Sequence, residues 1–142
     1  MAQTQRRLFS RETEVRIDIE ASPERVWALL VKGADYPTWT STVLSIAGEI
    51  GPGQRIELKS SLAPTRTFKL TIQEFSPPWR LVWGDAMGRR TYQMHSRGAG
   101  TTFVMHERIG GPLFPLFARL IPPFDASFDQ FARDLKARAE AS

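Results

Sequence analysis

The sequence contains no cysteine, only two histidines and no long uninterrupted apolar stretch. Without cysteine the chain has no disulfide, no thiolate nucleophile and no Cys-ligated metal site. His95 and His106 lack the H-x-x-x-H or H-x-H spacing of metal ligands, and neither G-x-S-x-G nor a phosphate-binding glycine loop occurs. No segment approaches the ~18 apolar residues of a membrane-spanning helix. We therefore expect no metal, no cofactor and no integral membrane segment.

Positive charge is also not concentrated along the chain. The formal net charge is +4, and only Arg6-Arg7 and Arg89-Arg90 are adjacent among the nineteen basic residues. A nucleic-acid interface normally gathers Lys and Arg on one helix or stripe. We therefore predict no nucleic-acid partner.

The size and composition are those of one globular domain. The chain has 142 residues, of which 42% are apolar and 24% are charged. Arg6-Arg7 is followed by the charged residues 10–14, whereas an export signal has an apolar core at that point. We expect residues 1–10 to be a flexible leader, residues 11–142 to be a single domain, and the location to be cytoplasmic.

Alternating apolar residues predict an antiparallel sheet. Val15, Ile17 and Ile19 alternate with polar residues, as expected for a strand with one wet face. Ser22 and Pro23 then form a helix start, and Gly33 ends the short helix. Further strands are predicted at 42–48, 55–60, 67–73, 81–83, 89–97 and 101–108, the last two joined by the turn at 98–100.

The C-terminal part predicts one long helix preceded by an unusually apolar segment. Phe124, Phe128, Phe131 and Leu135 fall on one narrow stripe of a helix. Pro122-Pro123 should interrupt any helix that arrives from residues 110–124. We interpret 110–124 as the hinge that packs the last helix against the sheet, because its apolar residues would otherwise be exposed. The alternative is a movable lid, or an apolar patch that contacts a membrane or a partner.

Five short motifs, in this order, resemble the START-like or SRPBCC superfamily, which includes polyketide cyclase-like and birch-pollen-allergen-like proteins. They are Ile17-x-Ile19-x-Ala21-Ser22-Pro23-Glu24-x-Val26-Trp27, Tyr36-Pro37-x-Trp39, Gly53-x-x-Ile56, Phe75-x-Pro77-Pro78-x-x-Leu81-x-Trp83 and Gly100-Thr101-Thr102-x-x-x-His106-Glu107. The resemblance implies an α+β helix-grip fold: a curved antiparallel sheet around a long C-terminal helix, with two short helices after the first strand. It also implies a hydrophobic tunnel between sheet and helix, which members use to bind lipids, polyketides or hormones and sometimes for cyclisation or dehydration. The fold alone does not decide among these functions.

The candidate ligand-binding residues are mostly aromatic, and the alternative for each is that it fills a solid core. They are Trp27, Trp39, Phe68, Trp83, Tyr92, Met94, Glu107, Phe124, Phe128 and Phe131. Arg66 is a further candidate for orienting a polar ligand group.

Glu107 and Tyr92 are the candidates for proton transfer. Because neighbours on a strand point to opposite faces, only one of His106 and Glu107 can face the interior, and the sequence leaves open which. A buried Glu107 could serve as a general acid or anchor a ligand group, whereas an outward Glu107 would be an ordinary surface carboxylate.

The sequence thus favours a domain that binds a small hydrophobic molecule. The alternatives are a polyketide cyclase or dehydratase that uses the same cavity, and a protein-interaction module that docks through residues 110–124. Whether the protein forms a homodimer stays open.

Overall fold

The computed structural model describes residues 1–141, which form one antiparallel sheet and four α-helices. The strands are β1 (Gln3–Arg6), β2 (Ser10–Ile19), β3 (Val43–Ala47), β4 (Arg55–Ser60), β5 (Phe68–Ser76), β6 (Arg80–Gly84), β7 (Gly88–Arg97) and β8 (Gly100–Gly110). The helices are α1 (Pro23–Val31), α2 (Tyr36–Trp39), α3 (Phe114–Phe117) and α4 (Asp125–Glu140), with 3₁₀ turns at Gly33–Asp35 and Ala118–Leu120.

The eight strands form a single curved sheet that wraps around α4. Their order is β1-β2-β8-β7-β6-β5-β4-β3, so every neighbouring pair except β2–β8 is consecutive in sequence. One stripe of α4, formed by Phe128, Phe131, Ala132, Leu135 and Ala139, is buried against the sheet. The predicted α+β helix-grip fold is confirmed, including the two short helices between the first predicted strand and the next.

The N-terminus differs from its prediction as a flexible leader. Residues 3–6 form β1, which pairs in antiparallel register with β2 from Gln3–Glu14 to Arg6–Arg11. The backbone N of Ala2 also donates to Asp129 Oδ1 at 2.6 Å, and Thr4 Oγ1 donates to Asp125 Oδ1 at 2.5 Å. These contacts fix a strand whose own residues carry no apolar alternation, so tertiary pairing decides its conformation.

Arg25 connects the start of α1 to the end of α4. Ser22 caps α1 as predicted, because its Oγ accepts a hydrogen bond of 3.2 Å from the backbone N of Arg25. The Arg25 guanidinium then donates to the carbonyls of Ala139 and Ala141 at the end of α4. These carbonyls lack partners within a helix, and a cation there is favoured by the helix dipole. Arg25 therefore fixes where α4 ends.

Residues 111–122 are short helical turns, and their exposure departs from the prediction of a hinge that buries its apolar residues. Phe114 is buried, but Leu113, Leu116 and Leu120 are 64%, 80% and 82% exposed. Pro122-Pro123 separates these turns from α4, as predicted. The segment is instead held at its end by Arg11, whose Nη1 and Nη2 donate to the carbonyls of Ile121 and Pro122 at 3.1 and 2.8 Å.

Candidate functional site

A cavity of about 300 Å³ lies between the sheet and the N-terminal half of α4. Phe124, Phe128 and Phe131 line it from the helix side, while Leu58, Trp83 and Met105 are among the strand residues that line it. Leu62 and Leu120 line it as well, and both are exposed to solvent. This volume lies at the lower end of the range of small-molecule pockets, roughly 300–1,000 Å³. The hollow that the helix-grip prediction requires is therefore present.

Strand parity places one ion pair at the cavity wall. Arg90 on β7 and Glu107 on β8 are paired in register, and both line the cavity. Arg90 Nε donates to Glu107 Oε1 at 2.7 Å, and each side chain is 18% exposed. The guanidinium also lies over the Phe128 ring, 5.2 Å from its centroid. The pair and the ring together hold the guanidinium against the cavity wall.

Arg90 keeps unused hydrogen-bonding capacity. In residues 1–141 its side chain makes a hydrogen bond of good geometry at Nε alone, and neither terminal nitrogen bonds to a carboxylate or carbonyl. Burial lowers the pKa of Arg90, but Glu107 and the Tyr92 hydroxyl outweigh that effect and raise it above the ordinary arginine value. The site therefore presents a permanent positive charge with donors still to be satisfied.

Tyr92 lies two residues further along β7, behind the cavity wall. It is fully buried, stacked on Phe131 at 5.8 Å between centroids, and does not line the cavity. Within the described residues its hydroxyl has no hydrogen-bond partner of good geometry. Burial raises the pKa of Tyr92, while the charge of Arg90 opposes the rise.

The structure divides the predicted ligand-binding residues into two groups. Six of them line the cavity: Phe68, Trp83, Glu107, Phe124, Phe128 and Phe131. The other four fill the core instead, since Trp27 packs on Phe75, Trp39 on Tyr36 and Phe131, Tyr92 on Trp83, and Met94 is buried on β7. Arg66 also lines the cavity, and its guanidinium lies 4.7 Å from the Phe68 ring centroid.

The alternative between His106 and Glu107 is resolved by the pairing of β2 with β8. Glu107 shares the inward face with Phe103 and Met105, whereas His106 Nε2 lies 3.0 Å from Glu12 Oε1 on the opposite face. His95 is exposed. Glu107 is therefore the carboxylate that a bound molecule would meet.

Arg90 is the important site residue that sequence reasoning missed. The signal was available, because Arg90 has the same strand parity as Tyr92 and Met94 and so belongs to the buried face. In the sequence the adjacent pair Arg89-Arg90 was considered only as a possible contact to nucleic acid. Only Arg89 is exposed; Arg90 turns inward.

Among the described residues, no cluster of His, Cys, Asp and Glu has the arrangement of a metal site. In the same part of the chain, no helix has the length and apolar character needed to cross a membrane.

Comparison with known families decides the classification. Residues 10–140 match the family model described as polyketide cyclase / dehydrase and lipid transport. The chain belongs to this family. The match covers nearly the whole domain and confirms the resemblance to SRPBCC proteins.

Solved structures with low sequence identity share the fold. CalU16 from Micromonospora echinospora has a TM-score of 0.70 at 15% identity, over 100% of this chain and 86% of that one. A conserved protein of unknown function from Enterococcus faecalis has a TM-score of 0.70 at 14% identity, and the match covers 99% of this chain and 80% of that one. The di-domain ARO/CYC BexL from the BE-7585A biosynthetic pathway has a TM-score of 0.72 at 15% identity, over 96% of this chain and 52% of its own length. A search of curated proteins finds no match.

Proposed function

We propose that this protein binds a small, mainly apolar molecule carrying an anionic group, in the cavity between the sheet and α4. The observation that carries the proposal is the Arg90 guanidinium, which lies at an apolar wall and whose two terminal nitrogens make no hydrogen bond to a carboxylate or carbonyl of residues 1–141. A bound carboxylate or comparable anion would satisfy those donors in the bidentate manner that arginine favours.

The charge balance of the cavity lining favours an anion over a cation. Arg66, Arg89 and Arg90 are opposed by Asp85 and Glu107. Asp85 Oδ1 already accepts hydrogen bonds from the backbone N of Met87 and Gly88, at 2.8 and 2.9 Å, and Glu107 is engaged by Arg90. Both carboxylates thus already have hydrogen-bond donors from the protein, while donors of the arginines are still available to a ligand.

The apolar lining provides the remainder of the binding energy. Burying apolar surface contributes about 25 cal/mol per Å², so aromatic walls such as Phe128 and Trp83 would hold an apolar body without further polar contacts. The expected ligand class is therefore lipid-, polyketide- or aromatic-like with one acidic group, and the protein acts as its carrier or sensor, in keeping with the expected cytoplasmic location.

A matched pair of fluorescent probes tests the proposal. 8-Anilinonaphthalene-1-sulfonate and N-phenyl-1-naphthylamine share their aromatic body, and only the first has an anionic group. Titration of the folded protein should give saturable binding of both, with the sulfonate bound at least about tenfold more tightly, because charge-assisted hydrogen bonds contribute roughly 1.5–3 kcal/mol. Equal affinities for the two probes would show that the anionic group is not recognised. If neither probe binds saturably, the proposal of a ligand-binding cavity is wrong.

The second candidate function is an enzyme, a cyclase or dehydratase of polyketide-like substrates. The favouring observation is the buried Tyr92 hydroxyl, which has no hydrogen-bond partner of good geometry in residues 1–141 and lies near the Arg90–Glu107 pair. Such a group can hold a proton for transfer, although Phe131 and the cavity wall separate it from the present cavity. For any compound that the protein converts, Tyr92→Phe and Glu107→Gln should each abolish turnover while changing affinity only a few fold. Unchanged turnover in both variants would exclude these two residues from catalysis.

A further inference from the structure

The most exposed apolar side chains gather at one end of the molecule. We call this end the mouth and define it by residues 5–12, 61–67, 85–90 and 107–125. Of the ten exposed large apolar residues among residues 1–141, seven lie there: Leu8, Phe9, Leu62, Met87, Leu113, Leu116 and Leu120. The other three are Met1, Leu44 and Trp79.

The sheet topology brings these separate segments together. The β1–β2, β4–β5 and β6–β7 turns and the end of β8 all leave the sheet on the same side. The backbone N of Gly111 donates to the Phe9 carbonyl at 3.0 Å, and that of Gly110 donates to the Met87 carbonyl at 2.9 Å. Because Leu62 and Leu120 also line the cavity, the mouth surrounds its entrance.

The same segments hold the excess of positive charge. Eight of the nineteen basic residues lie in the mouth against four of the fifteen acidic ones, while eleven of each lie elsewhere. The formal net charge of +4 is therefore that of the mouth alone. Residues that are scattered in sequence are collected by the fold at one end.

Most of this charge is free. Six mouth arginines are exposed and form no ion pair within residues 1–141: Arg6, Arg7, Arg66, Arg89, Arg108 and Arg119. The four acidic residues are all engaged within the protein, Glu12 by His106, Glu107 by Arg90, Asp125 by Thr4 and Asp85 by backbone amides. A partner of this surface therefore meets unpaired cations together with protruding aliphatic side chains.

We propose that the mouth docks on a lipid bilayer surface that carries anionic headgroups. Leu113 and Leu116 enter the boundary between headgroups and acyl chains, while Arg6, Arg7 and Arg119 approach the phosphates. This combination of cationic and aliphatic groups is what an interfacial membrane contact uses. A phosphodiester backbone would satisfy the arginines but leave the leucines in water. The docked orientation turns the cavity entrance toward the lipid.

Sedimentation with sucrose-loaded vesicles tests the docking. The full chain should bind vesicles of phosphatidylcholine with about one quarter phosphatidylglycerol, bind pure phosphatidylcholine at least about tenfold more weakly, and lose affinity as salt is raised. Arg6→Gln/Arg7→Gln/Arg119→Gln should weaken binding by about fivefold for each charge removed. Leu113→Ser/Leu116→Ser should weaken it by at least about tenfold.

Matched variants outside the mouth serve as controls. Arg16→Gln/Arg55→Gln removes exposed charges elsewhere, and Leu44→Ser/Trp79→Ser removes exposed apolar side chains elsewhere. Both should bind like the wild type. Equal binding to the two vesicle types, or equal losses in the controls and the mouth variants, would overturn the proposal. So would binding to double-stranded DNA that depends on the arginines and not on the leucines, since it would assign the surface to nucleic acid.

The docking and the ligand proposal can fail separately. The cavity lining does not include the substituted residues Leu113, Leu116, Arg6, Arg7 and Arg119. Their variants should therefore keep wild-type affinity for 8-anilinonaphthalene-1-sulfonate in the absence of vesicles. Loss of probe binding in them would show that the substitutions disturb the fold and would remove their support for docking.

Discussion

Arg90 Nε lies 2.7 Å from Glu107 Oε1, across neighbouring strands and against the Phe128 ring. The two side chains face the same cavity but have opposite consequences for an anion inside it. Glu107 orients the guanidinium and at the same time repels negative charge. Substitutions at the two positions should therefore change anion affinity in opposite directions.

We expect Glu107→Gln to strengthen binding of 8-anilinonaphthalene-1-sulfonate several fold, because a like charge is removed while Arg90 stays. Arg90→Gln/Glu107→Gln, which leaves no charge unpaired, should weaken that binding by about tenfold or more. Fluorescence titration measures both. The neutral N-phenyl-1-naphthylamine is the control and should bind all variants alike. A weaker anion affinity in Glu107→Gln would contradict this account.

Tyr92→Phe tests the hydroxyl that lacks a partner. In the described part of the chain this buried hydroxyl has no hydrogen-bond partner of good geometry. Removing it relieves its desolvation cost, so we expect the free energy of unfolding to rise by about 1 kcal/mol. Urea denaturation measures the change. As the matched control, Tyr36→Phe removes a hydroxyl that donates to the Leu30 carbonyl at 2.6 Å and should lower stability. Destabilisation by Tyr92→Phe would mean that its hydroxyl is hydrogen-bonded.

Alkaline pH should destabilise the fold through both tyrosines. Burial raises the pKa of Tyr36 and of Tyr92 above the ordinary value of 10.0. Below pH 10 both are neutral in the folded and unfolded states, so they add no pH dependence. Above it, the unfolded chain loses these protons first, and stability falls as pH rises toward the folded pKa values. Tyrosinate absorbance should therefore appear together with unfolding, and its appearance near pH 10 in a folded protein would contradict the assignment.

Arg11→Met should loosen the segment that precedes α4. Arg11 is 3% exposed and donates to two carbonyls, those of Ile121 and Pro122. Burial lowers its pKa, which reflects the cost of holding this cation in the interior. We expect a loss of about 2–3 kcal/mol and faster hydrogen exchange in residues 113–121 than in α4.

Arg16 lies on the same strand and is exposed, so Arg16→Met should change neither the stability nor the hydrogen exchange of residues 113–121. Uniform exchange throughout the chain in Arg11→Met would show that Arg11 supports the whole domain and not this segment.

The elements with strong periodicity could be predicted from sequence. The alternation around Val15 and the stripe from Phe124 to Leu135 predicted β2 and α4, and the cap at Ser22 predicted the start of α1. These signals are local, because each element shows its buried face in its own residues. The inward face of β8 was likewise limited to two alternatives by parity.

The remainder depends on contacts between distant residues. β1 forms because Ala2 and Thr4 meet Asp129 and Asp125 across the fold, which no local pattern records. The aromatic residues that fill the core and those that line the cavity are chemically alike. Trp39 packs in the core, whereas Phe128 lines the cavity because the sheet stands away from α4 there. The separation between helix and sheet is a property of the packed molecule.

The Arg25 contact with the last carbonyls of α4 has a practical consequence for handling the protein. α4 begins at the cavity and runs 16 residues away from it, about 24 Å. An affinity handle attached beyond α4 would therefore emerge on the far side from the cavity opening. Immobilising the chain by that route presents the opening to the solution.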